Sequence, residues 1–168
     1  MDISESGSRF VIDDNGVLRE NITNSRVLIF SCGAYRSMCD ALFEQFQSGS
    51  GVILYRMGQG YARKLVDGIV KLNLPMEEAI KVYQKLSYLA GWGKVKIKIE
   101  DENRGMCTVH KSAFVLRRSD VGSTSCFFFS GVLSTITTSL YNGKDYSAKE
   151  VECVSGGFEN CRFVIAPS

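Results

Sequence analysis

Lys94–His110 reads KVKIKIEDENRGMCTVH, and this stretch decides the fold. Lysines at 94, 96 and 98 alternate strictly with Val95, Ile97 and Ile99. A period of two places the apolar side chains on one face of a strand and the ammonium groups on the other. Asp101–Gly105 is rich in turn formers, and Met106–His110 has the composition of a return strand. Strands this close in sequence pair antiparallel, because a parallel pair needs a crossover of about a dozen residues. The lysine row is read as a solvated face that resists edge pairing, rather than as a seat for an anionic partner. Ala113–Arg118 is a candidate extension of the second strand.

Helical spacing fills the chain before this hairpin. Tyr35, Met38, Leu42 and Phe46 give one apolar stripe over Ala34–Phe46, and Ser48-Gly49-Ser50-Gly51 breaks it. Leu54, Met57, Tyr61, Leu65, Ile69 and Leu72 give another over Val52–Leu72. Gly58 and Gly60 sit inside that helix, where each costs about 1 kcal/mol, so close helix packing or ligand access is the expected reason. Pro75 opens a third helix, with Glu77 and Glu78 at its positive end and Met76, Ile80, Tyr83, Leu86 and Ala90 as its stripe. Gly91-Trp92-Gly93 stops it. Nearer the N-terminus, Arg9–Glu20 reads as a hairpin around Asp13-Asp14-Asn15-Gly16, and Arg26–Phe30 as a strand or the start of the next helix.

After the central hairpin, Ser123-Thr124-Ser125 offers capping hydroxyls to a helix that places Phe129, Leu133, Ile136 and Leu140 on one face. Asn142-Gly143 ends it. Two strands close the chain, Ala148–Val154 and Asn160–Ile165, joined by Ser155-Gly156-Gly157-Phe158. The expected architecture is α+β: an antiparallel sheet with helices packed on one face, in a single domain. Residues 1–24 are read as an N-terminal extension carrying the first hairpin, and 25–168 as the domain.

Composition limits the function classes. The chain has 168 residues, 45% hydrophobic and 23% charged, which is the balance of a globular domain and not of a disordered chain. A net charge of +2 does not argue for direct nucleic-acid binding. No apolar run is long enough for a transmembrane segment, and Met1-Asp2-Ile3-Ser4-Glu5 is too acidic for a secretory signal. The expected location is cytoplasmic, where cysteines stay reduced. His110 is the lone histidine, read as an ordinary hydrogen-bonded residue. Gly58-Gln59-Gly60 begins like a dinucleotide fingerprint, but Arg63 stands at the third glycine position. Nothing reads as a self-sufficient active site, which points away from an enzyme.

The cysteines of the C-terminal third are different. Cys153 and Cys161 flank a glycine turn, as half of a zinc site does, and Cys126 starts a helix, where backbone N–H groups favour a thiolate. Glu150 and Glu152 are the local candidates for a fourth ligand, with His110 behind them. An ideal strand puts Glu150 and Cys153 on opposite faces, so a bulge is needed to bring them together. Three thiolates and a carboxylate leave a formal charge of about −2 on a divalent site, which Lys144, Lys149 and Arg162 are placed to offset. On spacing alone a buried thiol cluster and a Cys153–Cys161 disulfide remain alternatives.

Cys126-Phe127-Phe128-Phe129-Ser130-Gly131-Val132-Leu133, with Glu150-Val151-Glu152-Cys153 and Gly157-Phe158-Glu159-Asn160-Cys161-Arg162-Phe163, resembles the 4-vinyl-reductase domain family. Val52–Gly58 and Gly91-Trp92-Gly93 resemble its upstream helix and its glycine break. The resemblance runs from about Ser25 to the end of the chain. It implies a small-molecule-binding domain, related in fold to trafficking-complex subunits that hold an acyl chain and to dimeric aromatic sensors of bacterial transcription activators. It implies a structural zinc on Cys126, Glu150, Cys153 and Cys161, choosing Glu150 over Glu152. It also places a hydrophobic ligand in an apolar cavity between helices and sheet, for which Tyr55, Tyr61, Trp92, Phe127, Phe128 and Phe129 are candidate lining. In those sensors a histidine and a tryptophan orient the ligand; His110 and Trp92 do not align to them, and neither role is carried over. The leading expectation is a zinc-stabilised sensor or regulatory module, homodimeric and acting through a separate effector protein. The alternatives are an enzyme or accessory factor in tetrapyrrole vinyl reduction, and an acyl-binding structural subunit of a trafficking-like complex.

Overall fold

The computed structural model describes residues 10–20, 26–101, 103–117, 124–141 and 144–168. It divides the chain into two units, Met1–Ser31 and Cys32–Ser168. In the first, β1 (Phe10–Ile12) pairs antiparallel with β2 (Leu18–Glu20). The turn is set by Asp13, whose Oδ1 accepts the N–H groups of Asn15 and Val17, both at 2.9 Å, and by Gly16 at φ +74°. Arg9 of the expected hairpin lies outside the described residues. Arg26–Phe30 forms neither a strand nor a helix start: Arg26 makes an isolated bridge to Arg19, and residues 27–30 have no regular structure.

The second unit opens with three helices, α1 (Cys32–Phe46), α2 (Ser50–Val70) and α3 (Met76–Leu89). α1 and α2 bury faces shifted from the expected stripes, while α3 buries the expected Ile80, Tyr83 and Leu86. In α1, Cys39 and Phe43 are buried while Met38 and Phe46 are half exposed, because a reduced cysteine packs as a small apolar residue. In α2 the buried line is Leu54, Gly58, Ala62, Val66 and Ile69; Met57, Tyr61 and Leu72 face out. The reason is steric. A Cβ at Gly58 would land on the carbonyl oxygen of Phe128, and one at Gly131 on that of Tyr55. Two glycines on facing helices thus bring the backbones into contact, and the smallest side chains, not the largest, mark the interface. Gly60 meets nothing within 4 Å. In α3, Ala79, Ile80, Tyr83, Leu86 and Ser87 are buried, and Ala90 lies past its end.

The sheet is fully antiparallel, in the order β3 (Lys94–Asp101), β4 (Arg104–His110), β6 (Cys161–Pro167), β5 (Tyr146–Glu152). Ala113–Arg117 does not extend β4. Lys111 at φ +55° turns the chain away, and Phe114, Val115 and Leu116 enter the interior instead; Arg118 lies outside the described residues. The last helix, α4 (Phe127–Leu140), packs between α2 and β5–β6 and is buried on nearly every side, from Phe129 through Leu133 to Thr137. The capping Ser123 and the terminal Asn142-Gly143 lie outside the described residues. The core joins Phe129, Val132 and Leu133 of α4 to Val109, Phe163 and Ile165 of the sheet. The architecture is α+β, with helices on one face of an antiparallel sheet.

Candidate metal centre

The loop before α4 and the two ends of the β5–β6 hairpin meet at one point. Cys126 caps the first turn of α4 through its carbonyl, which accepts the Ser130 N–H at 3.0 Å. Cys153 ends β5. Its carbonyl accepts the N–H groups of Gly156 and Phe158 at 2.9 and 3.2 Å, curling the chain through a turn completed by Gly157 at φ +90°. Cys161 then starts β6. All three thiols are fully buried.

Glu150 joins them through a β-bulge. Glu150 pairs with Phe163 and Glu152 with Arg162, so β5 spends two residues where β6 spends one. Val151 is the extra residue and points out, 44% exposed, while Glu150 and Cys153 both turn inward. The bulge that the strand period requires is therefore present, and it separates the two glutamates. Glu152 stays on the outer side and pairs with Arg162 Nη1 at 2.8 Å.

The four ligating atoms lie within 4.8 Å of one another. The sulfur–sulfur distances are 3.6 Å for Cys153–Cys161, 3.7 Å for Cys126–Cys161 and 3.9 Å for Cys126–Cys153. Three sulfurs at about 2.3 Å from a tetrahedral zinc stand roughly 3.8 Å apart, so the triangle is already the right size. A disulfide needs about 2.0 Å, and all three cysteines are free. Glu150 Oε2 accepts the N–H groups of Ser125 and Cys126, both at 2.8 Å, while its buried Oε1 has no hydrogen-bond partner. One oxygen is thus fixed by the helix start and the other is left for a cation. This donor set can hold a metal ion.

The cluster divides its protons unequally. Hydrogen bonds from Cys126, then from Cys161, lower the Cys153 thiol. Hydrogen bonds to Cys153 and then to Cys161, and then burial, push Cys126 far up. Burial raises the Glu150 carboxyl to about 7. The Cys126 hydrogen bond lowers the Cys161 thiol, but the bond with Cys153 and burial outweigh it and push this thiol up as well, to about 12. These four groups therefore resist holding more than one negative charge together unless a positive partner is present. The expected side-chain cations do not supply it: Arg162 is engaged by Glu152, Lys149 is exposed, and Lys144 lies over the Tyr146 ring at 5.9 Å. Hydroxyls and backbone dipoles stand closer. Ser125 Oγ is 3.4 Å from the Cys153 sulfur and accepts the Leu116 N–H; Ser112 Oγ is 3.7 Å from the Cys126 sulfur. Ser125 does not cap α4, as its sequence position implied; it braces the thiolate site. Ser112 went unread in the sequence and Ser125 was read only as a helix cap, although a serine directly before a helix-start cysteine is a usable signal. His110 is not part of the cluster.

The six candidate ligand-binding residues fall into two places. Tyr61, Trp92, Phe128 and Phe129 join an aromatic cluster around Phe114, whose ring lies 5.1 Å from both Trp92 and Phe128 and 5.6 Å from Phe129. Tyr61 stacks at its edge, 5.3 Å from Trp92. Phe114, read as strand, is the hub that sequence reasoning missed. Tyr55 and Phe127 lie apart from these four, in an open groove of about 660 Å³ beside α1 and α2.

No family model matches the chain, and no curated protein matches it in sequence. Solved structures share its fold. The phenol-responsive sensory domain of the transcription activator PoxR, with phenol, superposes with a TM-score of 0.81 at 18% identity, over 95% of this chain and 85% of that one. A trafficking protein particle complex subunit 3 from Naegleria fowleri, covalently bound to palmitic acid, gives 0.63 at 11% identity, over 82% and 92%. A vinyl-4-reductase family protein from Methanocaldococcus jannaschii gives 0.55 at 17% identity, over 88% and 86%. The resembled family and both of its related groups are thus represented among structures with this fold. Among the described residues no helix is long and apolar enough to cross a membrane.

Proposed function

We propose that this chain is a zinc-stabilised binding module for a small hydrophobic molecule, serving as the sensory or regulatory part of a cytoplasmic system and acting through a partner protein. The observation that carries it is the cluster of Cys126, Glu150, Cys153 and Cys161: three sulfurs at tetrahedral spacing and one orphaned carboxylate oxygen. Sulfur-rich tetrahedral sites select zinc over the hard cations, which take oxygen ligands. Four protein ligands leave no open position, so the metal is structural and its binding energy is folding energy. It ties the β5–β6 hairpin to the start of α4, the helix that carries Phe127, Phe128 and Phe129.

Support for the sensory role comes from the fold shared with a phenol-responsive domain, together with aromatic side chains presented by α2, α4 and the loop after α3. Homodimer formation belongs to the same reading, since α1 and α2 leave Met38, Phe46 and Met57 exposed. The test is thermal unfolding of the purified chain with and without chelator, then with a panel of hydrophobic compounds added to the zinc-loaded protein. The reading expects a chelator-induced loss of stability, reversed by zinc, and a rise in melting temperature with at least one compound. A protein indifferent to both treatments refutes it.

A further inference from the structure

The open groove beside α1 and α2 has a chemistry that the metal centre does not use. Phe43, Val52 and Phe127 give it apolar walls, the two phenylalanine rings standing 6.3 Å apart. Tyr55, Arg56 and Gln59 bring polar groups to it, and no carboxylate lines it. Arg56 Nη1 donates to Gln59 Oε1 at 2.9 Å. That bond engages the amide oxygen and leaves the amide NH2, the guanidinium and the Tyr55 hydroxyl as donors. Among the described residues no carboxylate pairs with Arg56. A hydrophobic floor whose one charged neighbour is an unpaired guanidinium, flanked by donors, is complementary to an anion on an apolar body.

We propose that this groove binds a small amphiphile bearing one carboxylate, with its apolar part on Phe43, Val52 and Phe127 and its carboxylate on Arg56 and Gln59. The volume of about 660 Å³ is within the range of small-molecule sites. This inference rests on the small-molecule reading above and deepens it by naming the ligand class. A neutral phenol or alcohol gains the apolar contacts but leaves the guanidinium to water.

The test is calorimetric titration of the zinc-loaded full chain, at low ionic strength, with two matched pairs: decanoate against decanol, and 4-phenylbutyrate against 4-phenylbutanol. At least one acid is expected to bind about fivefold tighter than its alcohol, the size of a partly exposed ion pair. Arg56→Gln removes that preference by weakening acid binding to the level of the alcohol. Val52→Trp fills the groove and removes binding; Val52 is 65% exposed, so the fold tolerates the change. Which pair shows the preference separates an acyl from an aryl ligand. Equal binding of acid and alcohol, or acid binding indifferent to Arg56→Gln or Val52→Trp, overturns the carboxylate site while leaving a hydrophobic-ligand module standing. Failure of all four compounds to bind zinc-loaded protein overturns the site and counts against the small-molecule reading together.

Discussion

Glu150 is held through one oxygen and free at the other, and that asymmetry fits the ligand's role proposed for it. The backbone N–H groups of Ser125 and Cys126 fix Oε2, and the buried Oε1 has no hydrogen-bond partner. Glu150→Gln puts an amide on one of those two positions and removes the anionic donor. It is expected to weaken zinc binding at least about a hundredfold, since even the groups that merely orient ligands are worth ten- to a hundredfold. Glu152→Gln, which removes only a half-exposed ion pair to Arg162, leaves zinc affinity unchanged. Competition with a chromophoric chelator measures both. Cys153→Ser is expected to destabilise the domain by about 3 kcal/mol or more. Cys39→Ser costs about 1–2 kcal/mol, the penalty of a poorly paired buried hydroxyl, because Cys39 sits in the small cluster with Phe43, Leu54 and Leu116 and not among the four clustered donors. Equal losses in urea unfolding would deny Cys153 a special role.

At the scale of elements, the crossing of α2 and α4 rests on missing side chains. Gly58→Ala and Gly131→Ala each drive a methyl into a backbone carbonyl of the facing helix, which is rigid, so the helices must separate. A loss of about 3 kcal/mol or more is expected from either. Gly60→Ala, in the same helix with open space around it, gains about 0.5–1 kcal/mol from helix propensity alone. Thermal melts of the three variants distinguish a packing glycine from a tolerated one. The same crossing shows where sequence reading stops. Strands with strict alternation, Lys94–Glu100 above all, were legible because period two is written in every residue. The buried face of α2 was not, because hydrophobic periodicity follows Met57 and Tyr61 while the interface selects Gly58 and Ala62. In the site, three cysteines were legible by spacing. The carboxylate was not derivable from spacing, because the Val151 bulge is marked by neither glycine nor proline, and only the family resemblance separated Glu150 from Glu152. Phe114 was lost because three apolar residues in a row read as strand whether they pair in a sheet or plug a core.

For the whole molecule, the proposed zinc site makes metal binding and folding one equilibrium. A cation on Cys126, Glu150, Cys153 and Cys161 would cross-link α4 to the last hairpin, and those elements carry Phe129, Val132, Leu133, Phe163 and Ile165 of the main core. Chelation is therefore expected to lower the melting temperature by about 10 °C, several kcal/mol at the slope of a domain this size, and added zinc to restore it. Protons compete for the same ligand atoms. Zinc loading releases protons, affinity falls as pH falls, and the stabilisation by zinc disappears first on the acid side; calorimetry in two buffers of different ionisation enthalpy counts the protons released. A metal-independent fold would show neither effect. The most direct measurement of the central claim is native mass spectrometry of the purified chain beside its denatured mass. The account predicts one zinc per chain in the native state, lost together with folding and lost from Cys153→Ser. A folded native chain at its bare mass, with all its thiols free, would contradict it.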